Sequence, residues 1–498
     1  VARPFDCDVL IVGAGPVGAT LALMLARSGL EVIAADMAQD IYPLPRAAHI
    51  DHETVRIFQS VGAAEGIMAS SRVAARYDFL SAAGEVLMRF DTTGVTSPSG
   101  WPPSNMIHQP SLERTVRDRL ERTAGAALHG GWTLLGLEQD GEAVTARFST
   151  PEGEQAIVAR YLVGCDGARS ATRALAGIAL DDLKFDEPWL VVDTLVTDPA
   201  RLPQINLQIC DPARPTTCVL MGAGRHRWEF MLLPGETAEQ VSADAFIAAL
   251  LKPWKVDGAV TFERAAVYRF HALVARRWRE GRVLLAGDAA HQTPPFAGQG
   301  LCAGIRDAAN LAWKLAAVIT GEASERLLDS YQQEREPHVR TLIDLALMMG
   351  RTVCITDPAA AAARDAAMLA ARRADGRPPA APGAPPLAAG LLSPGSTSAG
   401  EAFPQPWTAA GERLDDCLGP GAWLIYRGGA SPPTAATAFA LESPALAPFA
   451  RDIGAWLDSR GAQAVLVRPD RYVFGTGDAE SLARAWSAAL AAERGADA

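Results

Sequence analysis

The stretch "CDVLIVGAGPVGATLALMLARSGLEVIAADM" constrains the fold more than any other part of the chain. An unbroken apolar run, Val9 to Val12, ends in a glycine turn; a helix with its apolar positions on one face follows, and then a second apolar run, Val32 to Ala35. This is a βαβ unit whose short, continuous runs are those of parallel strands buried on both faces. Gly13, Gly15 and Gly18 stand at the GxGxxG spacing. Glycine there permits the tight turn, lets backbone approach a pyrophosphate and brings helix against strand, while the helix N-terminus attracts negative charge. Asp36 closes the second strand, where an acid accepts hydrogen bonds from a ribose hydroxyl and repels a 2′-phosphate. The unit predicts a site for FAD or NAD rather than NADP, with a purely structural glycine turn as the alternative.

Two later stretches repeat the pattern of a strand running into a Gly-Asp turn. "YLVGCDGARSATRALAG" ends its strand at Asp166-Gly167 and continues through Arg169, Ser170 and Arg173 into a helix. "RVLLAGDAAHQTPPFAGQGLCAGIRDAANLAWKL" ends its strand at Gly287-Asp288, where a carboxylate can bind a ribityl hydroxyl. Pro294 and Pro295 stiffen the loop that follows, Gly298 and Gly300 let backbone approach a flat ring, and a helix starting near Leu301 aims its N–H groups at a ring oxygen.

At 498 residues the chain exceeds what one core serves, so several domains are expected. The first part of the dinucleotide domain spans 1–180 and its second part, with long helices, 276–373. Between them 181–275, with part of 73–108, reads as an inserted antiparallel sheet that forms a substrate domain. A Pro/Gly/Ala-rich linker, 374–400, precedes a small α/β module, 401–498. The net charge of −11 without a basic stripe argues against nucleic acid. Seven scattered cysteines without a CxxC or a His-spaced pair argue against a disulfide framework and a metal site. They fit a reducing, cytoplasmic setting. The first apolar run is too short for a signal peptide or membrane span, so no stable membrane association is expected.

The trio "GAGPVG", "CDGARSATR" and "GDAAHQTPPFAGQGL", in this order, resembles the single-component, FAD-dependent aromatic hydroxylases of the para-hydroxybenzoate hydroxylase type. The resemblance runs from about Asp8 to Arg335. "PRAAHIDHETVRIFQSVG", "NMIHQPSLE" and "WEFMLLPGE", with the C-terminal module, are most similar to 3-(3-hydroxyphenyl)propionate hydroxylase and its relatives. The resemblance implies an α/β (α+β) protein: a Rossmann-like FAD-binding domain, an inserted antiparallel-sheet substrate domain and a C-terminal thioredoxin-like domain, with a homodimer as one assembly. It implies that NADH or NADPH visits transiently to reduce FAD. Reaction with O2 then gives a flavin C(4a)-hydroperoxide that hydroxylates a phenolic aromatic acid.

Carried onto this chain, the resemblance assigns Gly13, Gly15, Gly18 and Asp36 to the ADP half of FAD and Arg46 to the flavin loop. Gln109 becomes a ribityl or pyrophosphate contact, Asp166 and Gly167 part of the motif for FAD and NAD(P)H, and Gly287 and Asp288 the ribityl site. Gly298, Gly300, Leu301 and Cys302 present backbone to the ring, and Pro295 walls the reaction cavity. His291 and His49 are the first candidates for controlling phenol ionisation, with a hydrogen-bonded structural histidine as the alternative for each. Tyr268 and His271 are expected at the end of the middle sheet. Arg214, Arg225 and Arg227 are candidate partners for a substrate carboxylate, against the alternative of solvated surface charge. Cys417 stands alone, which argues against thiol–disulfide exchange in the C-terminal module. A fused-ring polyketide hydroxylase and a non-catalytic FAD-binding redox sensor are competing readings. A halogenase is disfavoured because no WxWxIP occurs.

Overall fold

The computed structural model describes residues 5–375, 383–429 and 432–491. Its first sheet is built around the strand Cys7–Val12, which pairs in parallel with Val32–Asp36 on one side and the end of Gly153–Gly164 on the other. Ala126–Gly130 extends the sheet beyond Val32–Asp36, and Val283–Leu285 lies beside Leu162 to Gly164, again in parallel. Val9, Leu10 and Ile11 are fully buried because layers cover both faces, as the unbroken apolar run requires. The helices Pro16–Arg27 and Gly300–Ile319 pack together over one of those faces.

This order puts Gly13, Cys165-Asp166 and Gly287-Asp288 at the carboxyl ends of three adjacent parallel strands. Ligands of open α/β sheets bind at that edge. Three motifs separated by more than a hundred residues thus become one rim.

The second sheet has eight strands, in the order His291–Gln292, Val260–Ala275, Leu180–Val196, Arg225–Met231, Thr216–Met221, Asn206–Cys210, Arg76–Ser81, Val86–Asp91. It is antiparallel except where Asn206–Cys210 runs parallel to Arg76–Ser81, which makes it a mixed rather than purely antiparallel sheet. Period-2 alternation sorts its faces. Leu190, Val192, Trp228 and Phe230 pack beneath the helix Asp244–Leu251, whereas Trp189, Asp193, Arg227, Glu229 and Tyr268 look toward the first domain. His291–Gln292 pairs with Leu273 and Val274, so the third glycine motif is anchored in both sheets.

The C-terminal module has four strands in the order Thr437–Ala440, Trp423–Tyr426, Ala464–Val467, Val473–Gly477. Helix Ala450–Asp458 covers the face bearing Trp423, Ile425 and Val465; helix Ala479–Ala491 covers that of Leu424, Tyr426 and Leu466. Buried polar pairs fasten it to the rest, among them Arg56 with Asp415 at 2.7 Å and Arg468 with Glu334 at 2.6 Å. Of the expected linker, 376–382 lies outside the described residues, and Asp375 still ends the helix Pro358–Asp375. From 383 onward the chain packs rather than floats: Leu387 is buried, and the Leu391 amide donates to Glu334 Oε1 at 2.9 Å. All seven cysteines are free, and no helix among the described residues is long and apolar enough to cross a membrane.

Candidate functional site

The first glycine turn has two glycines the protein itself demands and one it does not. Gly13 has φ +94°, and a Cβ there would fall 2.5 Å from the Cys165 carbonyl oxygen. A Cβ on Gly18 would lie 1.9 Å from the Gly13 carbonyl oxygen, the close helix-on-strand packing expected of it. Gly15 has φ −62° and nothing within 4 Å of its missing Cβ. No contact inside the protein calls for glycine there, whereas a phosphate seated on the uncapped helix Pro16–Arg27 would. Asp36 accepts from the Ala14 amide at 2.8 Å and the Ala38 amide at 2.9 Å, which fixes its carboxylate beside the turn. Arg117, buried and not anticipated from sequence, donates to the Ala14 carbonyl at 3.0 Å and approaches Asp36 at 3.4 Å.

Gln109 Oε1 accepts from the amides of Arg46 (3.2 Å) and Ala47 (2.7 Å), so its role here is to shape the loop that presents Arg46. The Arg46 guanidinium is exposed and lies 4.9 Å above the Tyr42 ring.

The second and third motifs brace one another. Asp166 accepts from the Ser170 hydroxyl and from the Thr172 amide (2.9 Å) and hydroxyl (3.0 Å), so its carboxylate caps the helix Ala171–Leu175, with Gly167 turning at φ +78° beside it. From that helix Arg173 donates to the Ala289 carbonyl at 2.9 Å. Asp307, which sequence reading passed over, accepts from the Gly287 amide (3.1 Å), His291 Nε2 (2.6 Å) and Arg335 Nε (2.9 Å). His291 is fully buried and stacked on Trp278, with centroids 5.2 Å apart. Neighbourhood in sequence places it beside the rim, but the strand His291–Gln292 turns its side chain inward, where it holds a loop and faces no open space. Asp288 points the other way and is exposed.

Next, Pro294 leads into the turn Pro295–Ala297, and Gly298 reverses the chain at φ +64°. Helix Gly300–Ile319 has no side-chain cap at its N-terminus, which leaves the amides of Gly300, Leu301 and Cys302 as donors without a protein side chain. Gly300 has only Thr293, 3.9 Å away, near its missing Cβ. His49 Nδ1 lies 3.1 Å from the Gly298 carbonyl oxygen. Phe296 packs edge-on against Trp189 (5.7 Å), Phe185 (5.9 Å) and Phe270 (6.2 Å), an aromatic wall beside Pro295.

Across from this loop stands a clamp that sequence reading did not foresee. Asp193, buried, accepts from Arg227 Nε at 2.7 Å and Arg264 Nη2 at 2.7 Å. The same guanidiniums donate to the carbonyls of Pro45 (2.7 and 2.9 Å) and Arg46 (2.9 Å). Arg227 is therefore committed within the protein. Arg214 pairs with Glu236 at 2.6 Å and Arg225 with Glu263 at 2.7 Å, so none of the three arginines proposed for a substrate carboxylate is free to meet one. Tyr268 accepts from Arg264 at 2.6 Å on the same face, while His271 sits farther out, 3.8 Å from Asp186.

His49, Tyr77, Glu229 and Asp288 all meet solvent, yet desolvation is the largest cause of the pKa shift of each. It lowers His49 and raises the other three. The open backbone at Gly15 and the uncapped N-terminus before Leu301 fit an extended dinucleotide such as FAD.

Residues 6–346 match the FAD binding domain family, and the chain belongs to that family. Residues 442–492 match the HcaD C-terminal domain. The chain is 38% identical over 504 residues, 96% of its length and 93% of the relative's, to a Rhodococcus jostii (strain RHA1) protein named "Probable NADH-specific resorcinol 4-hydroxylase". It is 35% identical over 525 residues (96% and 95%) to a 3-(3-hydroxy-phenyl)propionate/3-hydroxycinnamic acid hydroxylase of Burkholderia cenocepacia (strain HI2424). The flavin-dependent monooxygenase PieE, solved with FAD and substrate, shares the fold at TM-score 0.82 and 24% identity over 98% of this chain and 99% of that one.

Proposed function

We propose that the protein is an FAD-dependent monooxygenase that hydroxylates a small phenolic ring with NADH or NADPH and O2. The observation that carries this is the meeting of three glycine turns at one rim, opposite the aromatic face of the second sheet. FAD, when bound, supplies hydride acceptance and oxygen activation. Gly13, Gly15, Gly18 and Asp36 hold its ADP half, with Gln109 setting the Arg46 loop. Gly287 and Asp288 receive the ribityl chain, held in place through Asp307 and Arg173. The amides after Gly298, at Gly300, Leu301 and Cys302, meet the ring oxygen.

The chain's part in the chemistry is to orient the phenol and keep water out. Pro295 and the cluster Phe296, Trp189 and Phe270 give the cleft a dry, rigid wall. His49, its imidazole pKa lowered by desolvation and its Nδ1 held by the Gly298 carbonyl, is neutral at pH 7 and would exchange a proton with a phenolic hydroxyl. The names of the relatives support phenols as the substrate class and NADH as the reductant. The test is NADH oxidation by the purified yellow protein with and without simple phenols, with the product weighed. Stimulation coupled to a gain of one oxygen supports the reading; no stimulation by any phenol, with reducible FAD bound, refutes it.

A further inference from the structure

Arg117 lies on the helix Gln109–Leu120, which packs against the helix of the first glycine motif, Pro16–Arg27. Gln109, Glu113 and Arg117 follow one another at a spacing of four, so their side chains share one stripe of that helix. Gln109 at one end shapes the Arg46 loop, and Arg117 at the other reaches the first glycine turn. Glu113, between them, holds the Arg117 guanidinium at 2.8 Å, and both side chains are buried.

Two further contacts of the guanidinium go to the turn itself. Nε donates to the Ala14 carbonyl at 3.0 Å, and Nη2 approaches Asp36 at 3.4 Å. Asp36 in turn accepts from the Ala14 amide at 2.8 Å. Ala14 is therefore gripped at its amide by the acid and at its carbonyl by the arginine. The consequence falls on the next residue. No peptide bond among the described residues is cis, and in a planar trans peptide the C=O and the following N–H point in opposite directions. The bond from Arg117 to the Ala14 carbonyl thus also fixes the Gly15 amide, which points away from Arg117 and donates to no group among the described residues. Pro16, next in line, has no N–H, so Gly15 carries the last backbone donor before the uncapped first turn of the helix. Glycine offers little steric resistance to rotation of the peptide that precedes it, so the unit 14–15 needs such a grip to keep one orientation.

We infer that Arg117 is a positioning residue for FAD: by holding the Ala14 carbonyl it aims the Gly15 amide at the pyrophosphate, an assignment that rests on the placement of FAD proposed above. Arg117 acts through the peptide, and the shape of its guanidinium is what the role requires. Nε serves the carbonyl while Nη2 serves the carboxylates, all in one rigid plane, whereas a lysine ammonium keeps the charge and loses the plane.

The experiment uses the FAD-loaded full chain as wild type, Arg117→Lys, Gly15→Ala and the double variant. Each is diluted in steps, and the FAD dissociation constant is read from the flavin fluorescence that appears as cofactor leaves. Arg117→Lys should weaken FAD about ten-fold, the loss of one well-aimed hydrogen bond to a charged group. In the Gly15→Ala background, where the methyl already keeps the pyrophosphate off the amide, the same substitution should cost no more than about two-fold, because the two changes remove one interaction. Arg117→Gln replaces the lysine variant should that one fail to fold. Wild-type affinity in Arg117→Lys, or an equal loss in both backgrounds, overturns the assignment and leaves the arginine as a fastener between two helices, with the placement of FAD intact. Gly15→Ala with wild-type affinity instead removes the placement of the dinucleotide on this helix, and the role of Arg117 with it.

Discussion

Gly15→Ala separates a ligand's demand for glycine from the protein's own. With φ −62° and ψ −174° the residue sits in backbone space open to alanine, and no atom lies within 4 Å of the added methyl. The free protein should gain about 0.4–1 kcal/mol, because alanine reduces the entropy of the unfolded chain without native strain. In the loaded protein the methyl occupies the approach of the pyrophosphate. An overpacking cost of about 1–3 kcal/mol there weakens FAD binding roughly five- to 150-fold. Gly18→Ala provides the contrast: its methyl lands 1.9 Å from the Gly13 carbonyl, so the fold suffers whether or not FAD is present. Thermal unfolding of the flavin-stripped proteins and titration with FAD read the two quantities apart. If Gly15→Ala binds FAD as tightly as the wild type, the pyrophosphate does not lie on this helix, and the placement of the whole dinucleotide is wrong.

Other consequences follow from the buried charges. Asp193→Asn leaves two buried guanidiniums without their shared carboxylate and should destabilise the protein by about 3–5 kcal/mol; calorimetry checks this, and the loosened Arg46 loop should also shed flavin on gel filtration. Asp288→Ala removes an exposed carboxylate without a packing role, so it should cut FAD retention while the unfolding midpoint of the flavin-free protein holds. Burial would raise the carboxyl pKa of Glu334, but Arg468 and Lys314 overcome that and hold it at about 2, below its ordinary 4.5. The linkage sign is that of a depressed acid: the contribution, about 3 kcal/mol, is complete above pH 4.5 and is lost as pH falls toward 2. Glu334→Gln should flatten denaturant midpoints measured across that window. Cys417, exposed and unpaired, should be replaceable by serine with turnover intact.

What could be read from sequence was local. The strand-turn-helix units announce themselves through apolar runs that end in glycine, so the three motifs and the start of the helix at Gly300 were visible from composition at the turn. Their convergence depends on strand order, which no single stretch encodes. The buried acids escaped for a related reason. Asp193 and Arg264 lie 71 residues apart, Asp307 and Arg335 28 apart, and each looks like ordinary surface charge until the pairing is known. A faint signal existed at Asp307: in "LCAGIRDAANLAWKL" the charges at 306, 307 and 314 interrupt a helix that is otherwise apolar nearly all round. Such charges must be paired if the helix is central. His291 illustrates the opposite error, since being next to a functional residue in sequence says nothing about which way a side chain points.

The buried pairs also give the C-terminal module a physical connection to the site. Asp307, Asn310 and Lys314 share one face of the helix Gly300–Ile319, at spacings that line up along it, and look onto the helix Asp329–Val353. There, consecutive residues serve different partners. Arg335 reaches Asp307, which holds the Gly287 amide at the rim. Glu334 gathers Lys314 (2.7 Å), Asn310 (2.6 Å) and, from the C-terminal module, Arg468 (2.6 Å). Each of these ions is expensive to bury alone, so neither helix can shift without exposing an unpaired charge to the protein interior. The C-terminal module thereby locks the helix Gly300–Ile319, whose uncapped N-terminus is the end proposed to meet the flavin ring.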